Sequence, residues 1–220
     1  LTVIFYLMNK IAKFIKTILL LVILLSNNII PAYSDEFKYK LKQIQSEINR
    51  NNLDIAIQKL KSINITNENQ QEYIDILFGD IYLKINQPQK AEEFYQKALF
   101  TSNEEIETLT LVGISEVRLI QGRLDDAINY ANKSIKLNAN LVRPKIILAI
   151  AKTRIGEGEE ALQILNELYS GRKNAEVALA ISDYYSAFDD TKQAIEVLEK
   201  FTKREPNNIK ILDQLASLYL

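Results

Sequence analysis

The 220-residue chain has no cysteine, no histidine and no tryptophan, and a single methionine. Without His or Cys there is no Ser-His-Asp or Cys-His machinery, no zinc site of the usual ligands, no haem axial His, no iron–sulfur cluster and no disulfide. Only 6 Gly and 4 Pro argue against a many-turned β protein and point toward helices. Neither sign of charge dominates, with 27 Lys+Arg against 28 Asp+Glu. What is present in quantity is apolar: hydrophobic residues make up 47% and charged residues 25%, a composition that folds. Ile, Asn and Lys are heavily used, which reads as the base composition of an AT-rich bacterial genome rather than as chemistry.

Residues 1–34 read as an address. Lys10, Lys13 and Lys16 precede an uninterrupted apolar run from Thr17 to Leu25, and Pro31 and Ala32-Tyr33-Ser34 follow. A positive start, a short apolar middle and a small-x-small site are the parts of a secretory signal. The run is well short of the roughly 20 apolar residues of a membrane span, so cleavage after Ser34 is expected. An uncut segment tethering the chain to a membrane is the alternative. Met8 is the expected true start, and the absence of Cys at the junction excludes a bacterial lipoprotein. Removing 1–34 leaves 24 basic and 28 acidic side chains, which offers no electrostatic case for nucleic acid. The expected location is periplasmic or secreted.

From Phe37 onward helical spacing dominates, with a period near 34 residues. Ala56, Ala91, Ala127, Ala161 and Ala194 are each followed at i+4 by Leu60, Tyr95, Ala131, Leu165 and Leu198. About twelve residues before most of these alanines stands a small residue: Gly79, Ser115, Ala149 or Ser182, with Ile44 the exception. Small side chains at this spacing let two helices of a pair cross closely, and the alanines mark the crossing. Breaks fall at Asn51-Asn52, Asn86-Gln87-Pro88, Gly122-Arg123, Gly156-Glu157-Gly158 and Phe188-Asp189-Asp190, each expected between the helices of one unit.

Phe78-Gly79-x-x-Tyr82 followed by Ala91-x-x-x-Tyr95-x-x-Ala98, repeated in weaker form as Ile181-Ser182-x-x-Tyr185, Ala194-x-x-x-Leu198 and Pro206, resembles the tetratricopeptide repeat family. The resemblance implies an all-α fold, a right-handed α-solenoid of stacked helix-turn-helix units. These are placed at about 37–71, 72–107, 108–141, 142–174 and 175–208, with a partial unit at 209–220. Tyr82, Tyr95, Tyr185 and Tyr219 fall at its packing positions. The resemblance further implies that the first helix of each unit lines a concave binding face. Its inward positions here are Tyr73, Ile76, Asp80, Leu83 and Lys84; Leu109, Val112, Glu116, Leu119 and Ile120; Arg143, Ile146, Ile150, Thr153 and Arg154; and Glu176, Leu179, Asp183, Ser186 and Ala187. The two-Lys, two-Asn carboxylate clamp of chaperone-binding relatives is absent, since position 9 holds Gln45, Asp80, Glu116, Ile150 and Asp183.

Other candidates for chemistry are weaker. The acidic pairs Glu92-Glu93, Asp125-Asp126, Glu159-Glu160 and Asp189-Asp190 recur once per repeat and read as solvated helix starts, where the helix dipole favours negative charge. Gly156-Glu157-Gly158-Glu159-Glu160 lacks Gly-Lys-Ser/Thr and puts acids where phosphate would sit. The expectation is therefore a non-catalytic adaptor in cell-envelope assembly. It takes a protein or peptide partner on the first-helix surface, with no metal and no cofactor. Two further expectations stand beside it. The chain is the front of a longer protein (an enzyme's regulatory region or a decayed gene), or it pairs with a second copy through an uncapped C-terminal end.

Overall fold

The computed structural model describes residues 35–171 and 174–220. The expected signal segment, the Met8 start and the membrane tether all lie outside them. Among the described residues there are eleven helices and no strand. In chain order they are α1 (Asp35–Asn49), α2 (Leu53–Lys61), α3 (Glu68–Lys84), α4 (Pro88–Ala98), α5 (Glu104–Ile120) and α6 (Leu124–Leu137). Then follow α7 (Arg143–Ile155), α8 (Gly158–Gly171), α9 (Ala175–Ala187), α10 (Thr191–Thr202) and α11 (Ile209–Tyr219). No described helix is long and apolar enough to cross a membrane.

The five breaks share one backbone device. Asn51, Asn86, Gly122, Gly156 and Asp189 all adopt positive φ, from 57° to 92°. Each stands five residues before one of the phased alanines. At each break the next residue's N–H reaches back to a carbonyl five positions earlier: Asn52 to Glu47, Gln87 to Tyr82, Arg123 to Arg118, Glu157 to Lys152 and Asp190 to Tyr185, at 2.8–2.9 Å. This is a Schellman closure, which satisfies the last carbonyls of the first helix and turns the chain sharply into the second.

The abundance of asparagine has a structural role that the base-composition reading overlooked. Asn67, Asn103, Asn174 and Asn208 cap α3, α5, α9 and α11, each side chain accepting an N–H from the first turn. Each such cap contributes about 1 kcal/mol. Asn51 and Asn86 take left-handed turns that a β-branched residue would resist.

The described residues divide into two compact units, 35–59 and 60–220. In the first, Phe37, Ile44, Ile48 and Ala56 are buried, and Glu47 accepts from Lys59 Nζ at 2.8 Å and from Asn52 Nδ2 at 3.0 Å. In the second, each helix from α3 to α11 packs on the next, and α3, α5, α7, α9 and α11 also pack in succession on one another. These odd-numbered helices therefore form the inner row of an α-solenoid. The phased alanines are fully buried, as are Leu60, Tyr95, Ala131, Leu165 and Leu198 four residues on, all at 2% exposure or less. Tyr219 differs from its expected packing role. It is 61% exposed and donates its hydroxyl to Glu199.

Around Tyr95 the solenoid is tightest. Its ring is clamped between α3 and α5: a Cβ on Gly79 would lie 2.5 Å from it, and one on Gly113 would come as close from the other side. Gly113, thirty-four residues after Gly79, is a close-approach position that the search for small residues placed at Ser115 instead. A second joint is polar. Arg118, 7% exposed on α5, grips Glu92 of α4, and Gln121 Nε2 donates to the same carboxylate at 3.0 Å. Glu92 is thus not a solvated helix-start residue. It lies beyond the first turn of α4 and is half-buried by its partner from the next pair. Asp125, Asp126, Glu159 and Glu160 do occupy first turns.

Candidate functional site

The inner row of helices presents the side chains that the repeat pattern selected, but divides them into core and surface. Ile76 is 4% exposed and packs with Ala91, Tyr95 and Ile114; Ile146 is 1% exposed and packs with Ala149, Ala161 and Val177. Both are buried in the core, because a pair can stack on the next only by burying the apolar positions between their first helices. Tyr73 and Leu109 are half-buried against the first of these clusters, and Val112 against a third built on Leu119 and Ala127. Ile150 is likewise half-buried, while Lys84, Arg143 and Arg154 are exposed.

The polar residues form a ladder across this face. Tyr95 reaches through from α4 and donates its hydroxyl to Asp80 Oδ1 at 2.7 Å. Burial pushes the Asp80 carboxyl up to about 6 against the pull of that hydrogen bond, with Glu116 adding to the rise and Lys84 and Arg143 opposing it. Arg143, from the first turn of α7, bridges two neighbours. It forks onto Glu116 of α5 and reaches Glu176 of α9 at 2.5 Å. Burial opposes its charge, but the two carboxylates outweigh that and hold its pKa above the ordinary arginine range. Its side chain keeps 43% exposure, so the bridge orients the guanidinium more than it stabilises the fold. Further along, Gln214 of α11 donates to Asp183 of α9 at 3.1 Å, and Arg154 donates to the Leu119 carbonyl at 3.1 Å.

Two cavities open on this face. The larger, about 790 Å³, is bordered by Lys84, Arg143, Ile150, Leu179 and Asp183, and also by Asn207, Asn208, Ile209 and Lys210 at the start of α11. The second, about 270 Å³, is walled by Ile150, Thr153, Arg154, Leu165, Ala180, Asp183, Tyr184 and Ala187. Of the residues expected on the binding face, the structure thus brings Lys84, Arg143, Ile146, Ile150, Thr153, Arg154, Glu176, Leu179, Asp183 and Ala187 to these cavities. Tyr73, Asp80, Leu109, Val112 and Glu116 line neither. Ile209 and Lys210 open the first helix of the expected partial unit, and Asn207 and Asn208 come from the turn and N-cap before it, which positions within first helices do not reach. Among the described residues no cluster of His, Cys, Asp or Glu could hold a metal ion. The arrangement supplies shape, apolar floor and fixed charges: the means of holding a ligand.

Comparison with known proteins agrees with this architecture. A family model for the N-terminal tetratricopeptide-repeat region of Psidin matches residues 118–220, and the model for the tetratricopeptide repeat itself matches residues 76–99. No curated protein sequence matches the chain. Among solved structures, the chain is similar to TTC0263, a thermophilic tetratricopeptide-repeat protein of Thermus thermophilus. That match has TM-score 0.68 and 13% identity, and covers 83% of this chain and 98% of that one. It is also similar to a structure of the APC/C hetero-tetramer Cut9–Hcn1, with TM-score 0.59, 20% identity, and coverage of 80% and 34%. A third is a tetratricopeptide repeat protein of Parabacteroides merdae, with TM-score 0.52, 14% identity, and coverage of 83% and 72%. At these identities the likeness is one of fold.

Proposed function

We propose, from a chain folded as a tetratricopeptide-repeat solenoid, that it is a non-catalytic scaffold gripping a peptide segment of a partner protein along its inner row of helices. The observation that carries this reading is the groove of about 790 Å³, with Ile150 and Leu179 on its floor and charged side chains from α3, α7, α9 and α11 around it. Grooves of this size with an apolar floor and a few placed charges suit a peptide better than a flat protein face. Tyr73, Asp80, Leu109, Val112 and Glu116 extend the contact surface toward α3 and α5. The basic and apolar order of residues 1–34 supports export and a role in the cell envelope.

A displayed library of random peptides, panned against the full chain, tests the groove. Enriched peptides should bind the native chain and lose binding to Ile150→Asp, with helix content by circular dichroism unchanged. A library that yields no peptide, or peptides indifferent to Ile150→Asp, would overturn the groove as the site. The exposed Ile209, Leu212 and Tyr219 on α11 favour a second contact, with another copy of the chain. Sedimentation that stays monomeric up to about millimolar concentration would exclude it.

A further inference from the structure

The groove also dictates the chemistry of its occupant, on the reading of it as a peptide-holding surface. The two cavities adjoin, because Ile150, Ala180 and Asp183 wall both. The smaller is a side pocket with Leu165 and Tyr184 in its walls and Ala187 exposed among them. Its 270 Å³ equals about nine water volumes, room for one large apolar side chain.

The linings of the two cavities hold four cations, Lys84, Arg143, Arg154 and Lys210, against two carboxylates, Glu176 and Asp183. Arg143 is taken up between Glu116 and Glu176, a bridge with one net negative charge. Lys84, Arg154 and Lys210 are exposed, and among the described residues none of them forms an ion pair with a carboxylate. Asp183, also exposed, accepts the Gln214 amide. The first turns of α9 and α11 also line the larger cavity, and helix N-termini carry partial positive charge. Asp80 lies behind, held by the Tyr95 hydroxyl.

We infer that the groove takes an internal acidic segment of an extended chain, one large apolar side chain of which sits in the smaller cavity while its carboxylates face Lys84, Arg154 and Lys210. A chain end is disfavoured: Asp80, Glu116 and Asp183 replace the lysines and asparagines that would hold a terminal carboxylate. Rim cations of this kind select partners by charge and speed encounter.

The test uses the full chain, the displayed random library and synthetic copies of the enriched peptides with both ends blocked. Enriched sequences should be rich in Asp and Glu around one Phe, Leu or Trp, and end-blocked copies should bind as well as free ones. Reversing all three cations (Lys84→Glu, Arg154→Glu, Lys210→Glu) should weaken those peptides at least about tenfold. The native affinity should fall as salt rises from about 0.05 M to about 0.5 M. Ala187→Trp, which fills the side pocket, should erase the preference for an apolar residue while sparing that for acids. The inference is overturned by enriched peptides that are neutral or basic, by loss of binding on blocking the C-terminus, or by a triple variant that binds the acidic peptides like the native chain. Those outcomes leave the groove itself standing, whereas a library without binders removes the groove.

Discussion

Replacing Asp80 by asparagine isolates the cost of keeping one charge inside the solenoid. The carboxyl titrates near 6 in the folded chain, against 3.8 when unperturbed, because burial outweighs the Tyr95 hydroxyl that donates to it. The rise of roughly two pH units corresponds to about 3 kcal/mol. Asp80 keeps partial exposure, and solvent at its edge trims that toward about 2 kcal/mol. The folded pKa is the higher one, so between about pH 4 and pH 6 the folded state binds more protons than the unfolded state. Stability from this group is therefore complete below pH 4 and is lost as pH rises through 6. Asp80→Asn keeps an oxygen for the Tyr95 hydroxyl and cannot ionise. Urea unfolding of both chains, followed by circular dichroism, cancels the other carboxylates in the difference. The variant's advantage over the native chain should start at a fixed offset near pH 4, grow by about 2–3 kcal/mol by pH 7, and then level off. A difference that is flat across this window, or that grows toward acid, refutes a buried, destabilising charge at Asp80.

Three further expectations concern the packing. Gly113→Ala drives a methyl into the Tyr95 ring and should cost about 1–3 kcal/mol in thermal unfolding, whereas Gly171→Ala, with open space around it, should cost nothing measurable. Ala91→Leu should lose a similar amount at a fully buried crossing while Gln89→Leu on the exposed side loses little, and equal shifts for the two would break the register. Arg118→Met leaves Glu92 without its guanidinium and should cost roughly 3 kcal/mol; adding Glu92→Gln should recover part of that in a double-mutant cycle.

The fold was legible because its causes are local and repeated. Ala91 and Ala127 recur with the period of a helix pair, and each break carries a residue that tolerates a left-handed turn. Even Gly113 was readable, thirty-four residues after Gly79, once the spacing rather than the neighbourhood of Ser115 was followed. The binding face was legible only in outline. The repeat pattern selected Ile76 and Ile146 together with Arg143 and Arg154, yet two of these are core and two are surface. A position within a repeat says which way a helix points, not whether the neighbouring pair has closed over it.

The sequence alone determined an all-helical chain of paired helices, their turns and their crossing alanines, since each depends on residues within a few turns of one another. Tertiary structure alone decided the site. Arg143 meets Glu116 and Glu176, 27 and 33 positions away, and Lys84 borders the same cavity as Lys210. Such meetings depend on the curvature of the stacked pairs, a sum of small rotations over several repeats that no single repeat encodes.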